Sequence, residues 1–351
     1  MDLSTSGLQL TTTVSTRSVY NVCFYKADSY VQYMSLFLLM CFINPTLSLL
    51  GFIANMMSLT ILHRSGLQKT SNILLFSLVI ADTLTLFKTM DYAVILIYFG
   101  PDKPFPAYCG FQYVESLDYF LAISAQLCTF FSYWGRYTSS SVVVAITIER
   151  LIAVYAPMNF RTIVTAHRIT ITLVFLFLFW LPWHLFFISI TGEILIKIKL
   201  PQNRFLMLFA LNVESQLNKI IALVEMNVID SLASWFPLSI VVVGCVSIAI
   251  KMKISMIRRR NLTWSKRKVS WSRRTTMTLM LSCVIFVLTH SAASAVQWLF
   301  FTVEQHVLLL LRSEVISLLY TINASSNLLV YIACNRTLFD IFCSLIGRTK
   351  K

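Results

Sequence analysis

Seven apolar runs divide this chain: 34–62, 73–99, 128–155, 169–190, 226–250, 276–301 and 307–333. Each is long enough to cross a bilayer, which takes ~20 residues in a helix. In hydrocarbon every backbone N–H and C=O must be satisfied inside the protein, so such runs become helices. The seventh is interrupted by Arg312 and Glu314. The third holds Arg136 and follows an apolar prelude at 119–127. The stretch 117–154 exceeds one span, so part of it is expected outside the bilayer, as an extracellular loop or a protruding helix.

Composition agrees with a membrane helix bundle. Hydrophobic residues make up 57% and charged residues 13%, against ~25% charged in a typical soluble domain. Mean hydropathy is +0.73. A barrel would need ~10-residue alternating segments, and these are absent from the pattern of long runs. The net charge of +14 comes from basic residues in short loops, which fits membrane topology and not nucleic-acid binding. Residues 1–30 are polar, with no apolar stretch of a secretory signal, so the first span is expected to direct insertion.

Loop charge sets the expected orientation. The loops after the first, third and fifth runs carry His63, Arg64 and Lys69, then Arg161, His167 and Arg168, then the segment 251–274. That segment has ten Lys or Arg and no acid. The opposite loops mix signs. Basic excess marks the cytosolic side, so a multi-pass plasma-membrane protein with its N-terminus outside and its C-terminus inside is expected. The chain divides into an extracellular tail (1–33), a seven-helix bundle (34–335) and a C-terminal part (336–351). In that last part RTLFDIFCSLI suits an amphipathic helix on the inner membrane surface. Cys343 on it is a palmitoylation candidate, and an unmodified buried thiol is the plain alternative.

The charged and polar residues inside the runs are the candidate sites, because an ionisable group in a membrane is costly and tends to be functional. Glu149 and Arg150 stand side by side in VVVAITIERLIAV. Asp82 falls near the middle of the second run. Asn323 and Asn327 are four apart, on one face of the seventh helix. Towards the outer half lie Asp91 (with Lys88), Arg136, Asp230 and Glu314. Arg136 suits a bidentate grip on a carboxylate or other anion, or a structural pair with Asp91. Five histidines and eight cysteines lack the spacing of a metal or hydrolytic site, so no enzyme activity is expected. No internal repeat of the transporter kind is seen.

The motifs now make a resemblance specific. They are GFIAN at Gly51–Asn55, LVIAD ending in Asp82, Glu149-Arg150-Leu151 followed by AVYAP, Pro237, and NASSNLLVY from Asn323 to Tyr331. In this order and spacing the chain resembles the rhodopsin-like G-protein-coupled receptors over about residues 47–345. The wording NASSNLLVY and His290 are similar to invertebrate peptide-type receptors and molluscan chemosensory receptors.

The resemblance implies several roles. An extracellular peptide or small soluble cue would bind in the outer half of the bundle. Glu149 would pair with Arg150 at rest, and Arg150 would contact a heterotrimeric G protein on activation. The bland reading of that pair is a snorkelling ion pair at the membrane boundary. Asp82, Ser139, Asn323 and Asn327 would form an all-oxygen pocket for sodium, with a water-filled network around a protonated Asp82 as the alternative. Phe286, His290 and Tyr331 would be activation switches, His290 standing where the family has tryptophan. A neutral core histidine is its plain alternative. Ser132 stands at the acidic position that family members use for amines, which disfavours a monoamine.

There are departures. Leu328 and Ala292 replace helix prolines, and the bend near Tyr331 in the seventh helix is expected to straighten or shift. Arg273 and Arg274 occupy the place of an acid that would lock onto Arg150. Cys245 stands where a tyrosine is common. Residues 191–225 contain no cysteine, so the family disulfide is not reproduced; Cys109–Cys128 and Cys23–Cys109 both remain open. The sequon-like triplets at Asn261, Asn323 and Asn335 fall in cytosolic or membrane segments and are expected to stay unmodified. A decoy receptor without G-protein coupling and a ligand-gated channel are the competing classes.

Overall fold

The computed structural model describes residues 30–87, 115–191, 194–200, 204–210, 224, 228, 229, 231–260, 269–299, 306–334 and 336–345. Eleven α-helices and one β-hairpin make up these residues. The first span consists of α1 (Tyr30–Leu38), a π turn (Leu39–Ile43) and α2 (Asn44–Ser65). Pro45 explains the π turn: it has no N–H to give to the preceding turn, and the Asn44 N–H reaches back to Leu39 O. Gly66, at φ 88°, then reverses the chain, a conformation that costs glycine little. Asn72 ties the turn down by donating to Ser65 Oγ (3.0 Å) and Gly66 O (2.8 Å).

The second span is represented by α3 (Thr70–Thr85); the rest of its apolar run lies outside the described residues. α4 (Glu115–Tyr155) is one continuous helix of 41 residues. At 1.5 Å per residue it is about 60 Å long, about twice the ~30 Å hydrocarbon core. The excess expected on sequence therefore takes the form of a protruding helix and not a loop.

After the short α5 (Phe160–Ile163), α6 (Ala166–Thr191) forms the fourth span. An antiparallel hairpin follows, β1 (Ile194–Leu200) and β2 (Arg204–Ala210), in register from Ile194 opposite Ala210 to Leu200 opposite Arg204. The sequence reading had an extracellular loop here and no strands. α7 (Phe236–Arg260), entered through a π turn at Ser231–Trp235, and α8 (Val269–Leu299) are the fifth and sixth spans.

The seventh span breaks in two, α9 (His306–Ser325) and α10 (Asn327–Cys334). α8 runs unbroken past Ala292. The seventh span does not straighten. At Ser326 the hydroxyl donates to Asn323 O (2.8 Å) and the N–H bonds the same carbonyl at 3.3 Å, a tightened turn that interrupts the helix without proline. α11 (Arg336–Leu345) closes the described chain and packs on α2 and α10, with Ile341 and Phe342 against the core.

Six of these helices are long and apolar enough to cross a membrane, and α3 is a shorter apolar helix. Their outer faces are apolar: Phe175 is 61% and Leu329 70% exposed. A continuous exposed apolar surface of this kind belongs against lipid. Lipid tails remove the usual hydrophobic reward for helix association, so close packing and interhelical hydrogen bonds must hold the bundle. Gly135 lets α4 press on α3, since a Cβ there would lie 2.6 Å from Ala81 O and 2.7 Å from Thr85 N. Ser132 donates to Thr85 O (2.8 Å), Asn55 to Ala324 O (3.1 Å), Trp134 to Phe177 O (2.9 Å) and Trp180 to Ser141 Oγ (3.0 Å). Bonds of this type contribute about 1 kcal/mol each in membranes. The central core runs through Leu74, Leu78, Val142, Ile146, Phe286 and Tyr331.

Candidate functional site

Near the C-terminal end of α4, Glu149 and Arg150 are both buried. Arg150 Nε lies 2.8 Å from Glu149 Oε2, and Nη2 donates to Glu149 Oε1 at 3.4 Å. The Nε contact is an ion pair without the alignment of a hydrogen bond. α3 supplies the rest of the cradle. Arg150 Nη2 donates to Ser71 Oγ, and Thr70 Oγ1 reaches Glu149 Oε1 at 3.5 Å. The acid and base thus solve each other's desolvation, with two hydroxyls completing the pair. Arg150 does not snorkel here; it is turned inward.

Asp82 of α3 is 2% exposed. Ser139 of α4 donates to its Oδ1 and Asn327 of α10 to its Oδ2, each at 2.6 Å. Both partners are neutral, so hydrogen bonding satisfies the carboxylate oxygens and leaves its charge uncompensated by them. Asn323 belongs to the same region of sequence, but its carbonyl is engaged by Ser326, and no hydrogen bond from it to Asp82 is found among the described residues. A carboxylate and a hydroxyl oxygen fit a hard cation in type; Asn327 presents its amide nitrogen.

A cavity of about 150 Å³ opens between α3, α4, α8 and α9. Thr85, Ser132, Tyr133, Arg136 and Gln297 line one side, and the α9 face from Arg312 to Thr321 lines the other. The Arg136 guanidinium lies over three rings, 4.6 Å from the Tyr133 centroid and 4.9 Å from those of Tyr137 and Tyr320. It also donates to Tyr137 Oη at 3.3 Å. Cation–π contacts hold a guanidinium without neutralising it.

His290 sits beneath this group. Its ring lies 3.8 Å from that of Phe286 and 5.0 Å from Tyr320, the latter edge-on. Nδ1 is 3.1 Å from Phe286 O, which places the proton on Nδ1. Ser140 Oγ is 3.4 Å from Nε2 and donates to Arg136 O at 3.1 Å. His290 and Phe286 are buried, and so is Tyr331, whose Oη has no hydrogen-bond partner among the described residues.

Glu314 requires a correction. Expected as a ligand contact, it is 3% exposed and turned to α2, where Asn44 Nδ2 donates to its Oε2 (2.8 Å) and its backbone O (3.3 Å). Position 314 falls at the edge of the cavity face, within about 20° of Thr321 in helical phase, and the bond to Asn44 holds its carboxylate against α2. Cys343 on α11 is half-buried, and Cys128 is half-buried on α4. Asp91, Asp230, Cys23 and Cys109 lie outside the described residues, as does Lys88. Ser71, Thr70, Tyr320 and Asn44 were not singled out on sequence. Hydroxyls and tyrosines at helix positions carry no pattern that marks them; only the pairing partner does.

The model of the serpentine type 7TM GPCR chemoreceptor Srw family matches residues 42–335. A comparison with curated proteins finds no match. The matched stretch runs from the π turn before α2 to the end of α10, and so contains the cavity, Asp82 and the Glu149–Arg150 pair. The chain belongs to the serpentine 7TM chemoreceptor family of G-protein-coupled receptors.

Proposed function

We propose that the chain is a plasma-membrane chemoreceptor that binds a soluble cue or small peptide in the Arg136 cavity and activates a heterotrimeric G protein at the Arg150 end. In this reading the cavity faces outside and Arg150 faces the cytosol, the orientation that the basic loops require. One observation carries the proposal. Arg150 is clamped by Glu149 and by Ser71 of a neighbouring helix, so a movement of α3 against α4 frees a buried cation for a partner. The contacting rings Tyr320, His290 and Phe286 connect the cavity with the core above that clamp.

Sodium at Asp82 belongs to the same reading. A buried carboxylate with two neutral donors favours a cation, and Asp82 with Ser139 would hold it. Palmitate on Cys343 would fix α11 to the inner leaflet. The decoy alternative draws on Leu328, Ala292 and Cys245. The break at Ser326 and the Ser71 clamp weigh against it, because they supply a helix interruption and a hold on Arg150 by other residues.

The test is a second-messenger recording from cells expressing the chain, with Arg150→Ala alongside and surface display measured on both. Loss of the response with surface display retained is expected. An undiminished response from Arg150→Ala overturns the role of Arg150.

A further inference from the structure

We infer that Cys245 and Cys283 are an oxidisable pair, a modification site at which peroxide joins the fifth span to the sixth by a reversible disulfide. Among the described residues Cys41, Cys128, Cys245, Cys283 and Cys343 are free, and two of them meet. The thiols of Cys245 on α7 and Cys283 on α8 lie within hydrogen-bonding reach of each other. Thr147 of α4 fixes the same level from a third side. Its Oγ1 is 3.7 Å from Cys283 Sγ. Its methyl group fills the space at Gly244, beside Cys245, where a Cβ would lie only 2.3 Å from Thr147 Cγ2. Three helices therefore converge on Thr147, and the two sulfurs sit where they converge.

A single cysteine in a helix core is a small apolar filler with a weak donor. Two in contact can also give up their protons and form a bond. Cys283 is 3% exposed. Cys245 is half-buried, between Val243 and Val246, which are exposed on the outside of the bundle. An uncharged peroxide therefore meets Cys245 first, and Cys283 is the resolving thiol.

The Cys245 sulfur attacks hydrogen peroxide and breaks its O–O bond, which forms a sulfenic acid and releases one water. The Cys283 sulfur then attacks the Cys245 sulfur. The S–O bond breaks, and the hydroxide leaves with the remaining thiol proton as a second water. The two thiols lose two electrons and the peroxide gains them. A soluble thiol such as glutathione reverses the bond by exchange. In the orientation proposed above the pair lies toward the cytosol, which is kept reducing, so the link is transient and reports an oxidant. It fastens α7 to α8 at the level of Thr147, one turn before Arg150.

The experiment treats the purified full-length receptor in lipid nanodiscs with hydrogen peroxide. Remaining thiols are capped with N-ethylmaleimide before denaturation, and peptides are read by mass spectrometry with and without dithiothreitol. A peptide pair joined through Cys245 and Cys283 is expected as the most abundant cysteine pair, lost on reduction. In Cys283→Ser, Cys245 is expected to stop at the sulfenic acid, which dimedone traps. In Cys245→Ser, Cys283 is expected to remain a thiol.

Absence of the joined pair while Cys343 is oxidised in the same sample overturns the inference. So does a joined pair no more abundant than those made by other cysteines, or no dimedone adduct on Cys245 in a folded Cys283→Ser variant. If the variants do not fold, the native chain alone decides. The readout needs neither ligand nor G protein. A receptor that couples but never forms the link keeps the proposed function and loses this site. One that forms the link and never couples does the reverse.

Discussion

Ser71 accepts a hydrogen bond from Arg150, so α3 joins Glu149 of α4 in holding this arginine. The sixth helix offers only Arg273 and Arg274 at the place where an acid would do that work. A hydrogen bond to a charged group is worth about 1.5–3 kcal/mol. Ser71→Ala, and more weakly Thr70→Val, should therefore raise basal G-protein activation several-fold. Basal second messenger, normalised to surface receptor, checks this. Unchanged basal output in both variants would place the resting lock elsewhere.

Asp82→Asn removes the charge that a cation would balance and keeps a side chain able to bond Ser139 and Asn327. In the native chain, agonist affinity should fall as sodium replaces an organic cation at fixed ionic strength. In the variant that dependence should vanish. A native receptor indifferent to sodium would leave Asp82 as a hydrogen-bonded polar network and no more.

Asn44→Ala leaves the Glu314 carboxylate buried without its donor. A loss of about 2 kcal/mol is expected, read as a lower melting temperature of the purified receptor. Glu314→Gln retains the bond to Asn44 and should cost less. Equal losses would mean that the pair matters through packing and not through the hydrogen bond.

Gly135→Ala drives a methyl group against backbone of α3, at 2.6 Å from Ala81 O and 2.7 Å from Thr85 N. Backbone cannot rotate away, so the helices must separate, and surface expression should collapse. At Gly66, where a Cβ meets nothing within 4 Å but φ is +88°, alanine should cost only about 1 kcal/mol in strain. Comparable expression of the two variants would contradict the close packing of α3 on α4.

The apolar runs, Asp82 and Arg150 were legible in sequence because a charge inside lipid has few places to go. Ser139 and Asn327 followed from the receptor resemblance, and the structure does bring them to Asp82. Other features rest on information that no single run contains. Asn44 and Glu314 are 270 positions apart, and nothing local in either names its partner. Glu314 read as a pocket residue because its depth could be judged but its partner on α2 could not. The hairpin did carry a signal: ILIKIKL and RFLMLFA suit a strand better than a loop, and ILIKIKL alternates in part. The break at Ser326 was hidden because the expectation was tied to proline, whereas a serine hydroxyl bonding back to Asn323 interrupts the helix equally well.

The most direct measurement is nucleotide exchange on purified heterotrimeric G proteins, catalysed by the reconstituted full-length chain and by Arg150→Ala. The expected result is exchange faster than in receptor-free membranes, increased by an agonist and abolished in Arg150→Ala. Folded native receptor that accelerates exchange on no G-protein class, or an Arg150→Ala variant as active as the native chain, would contradict it.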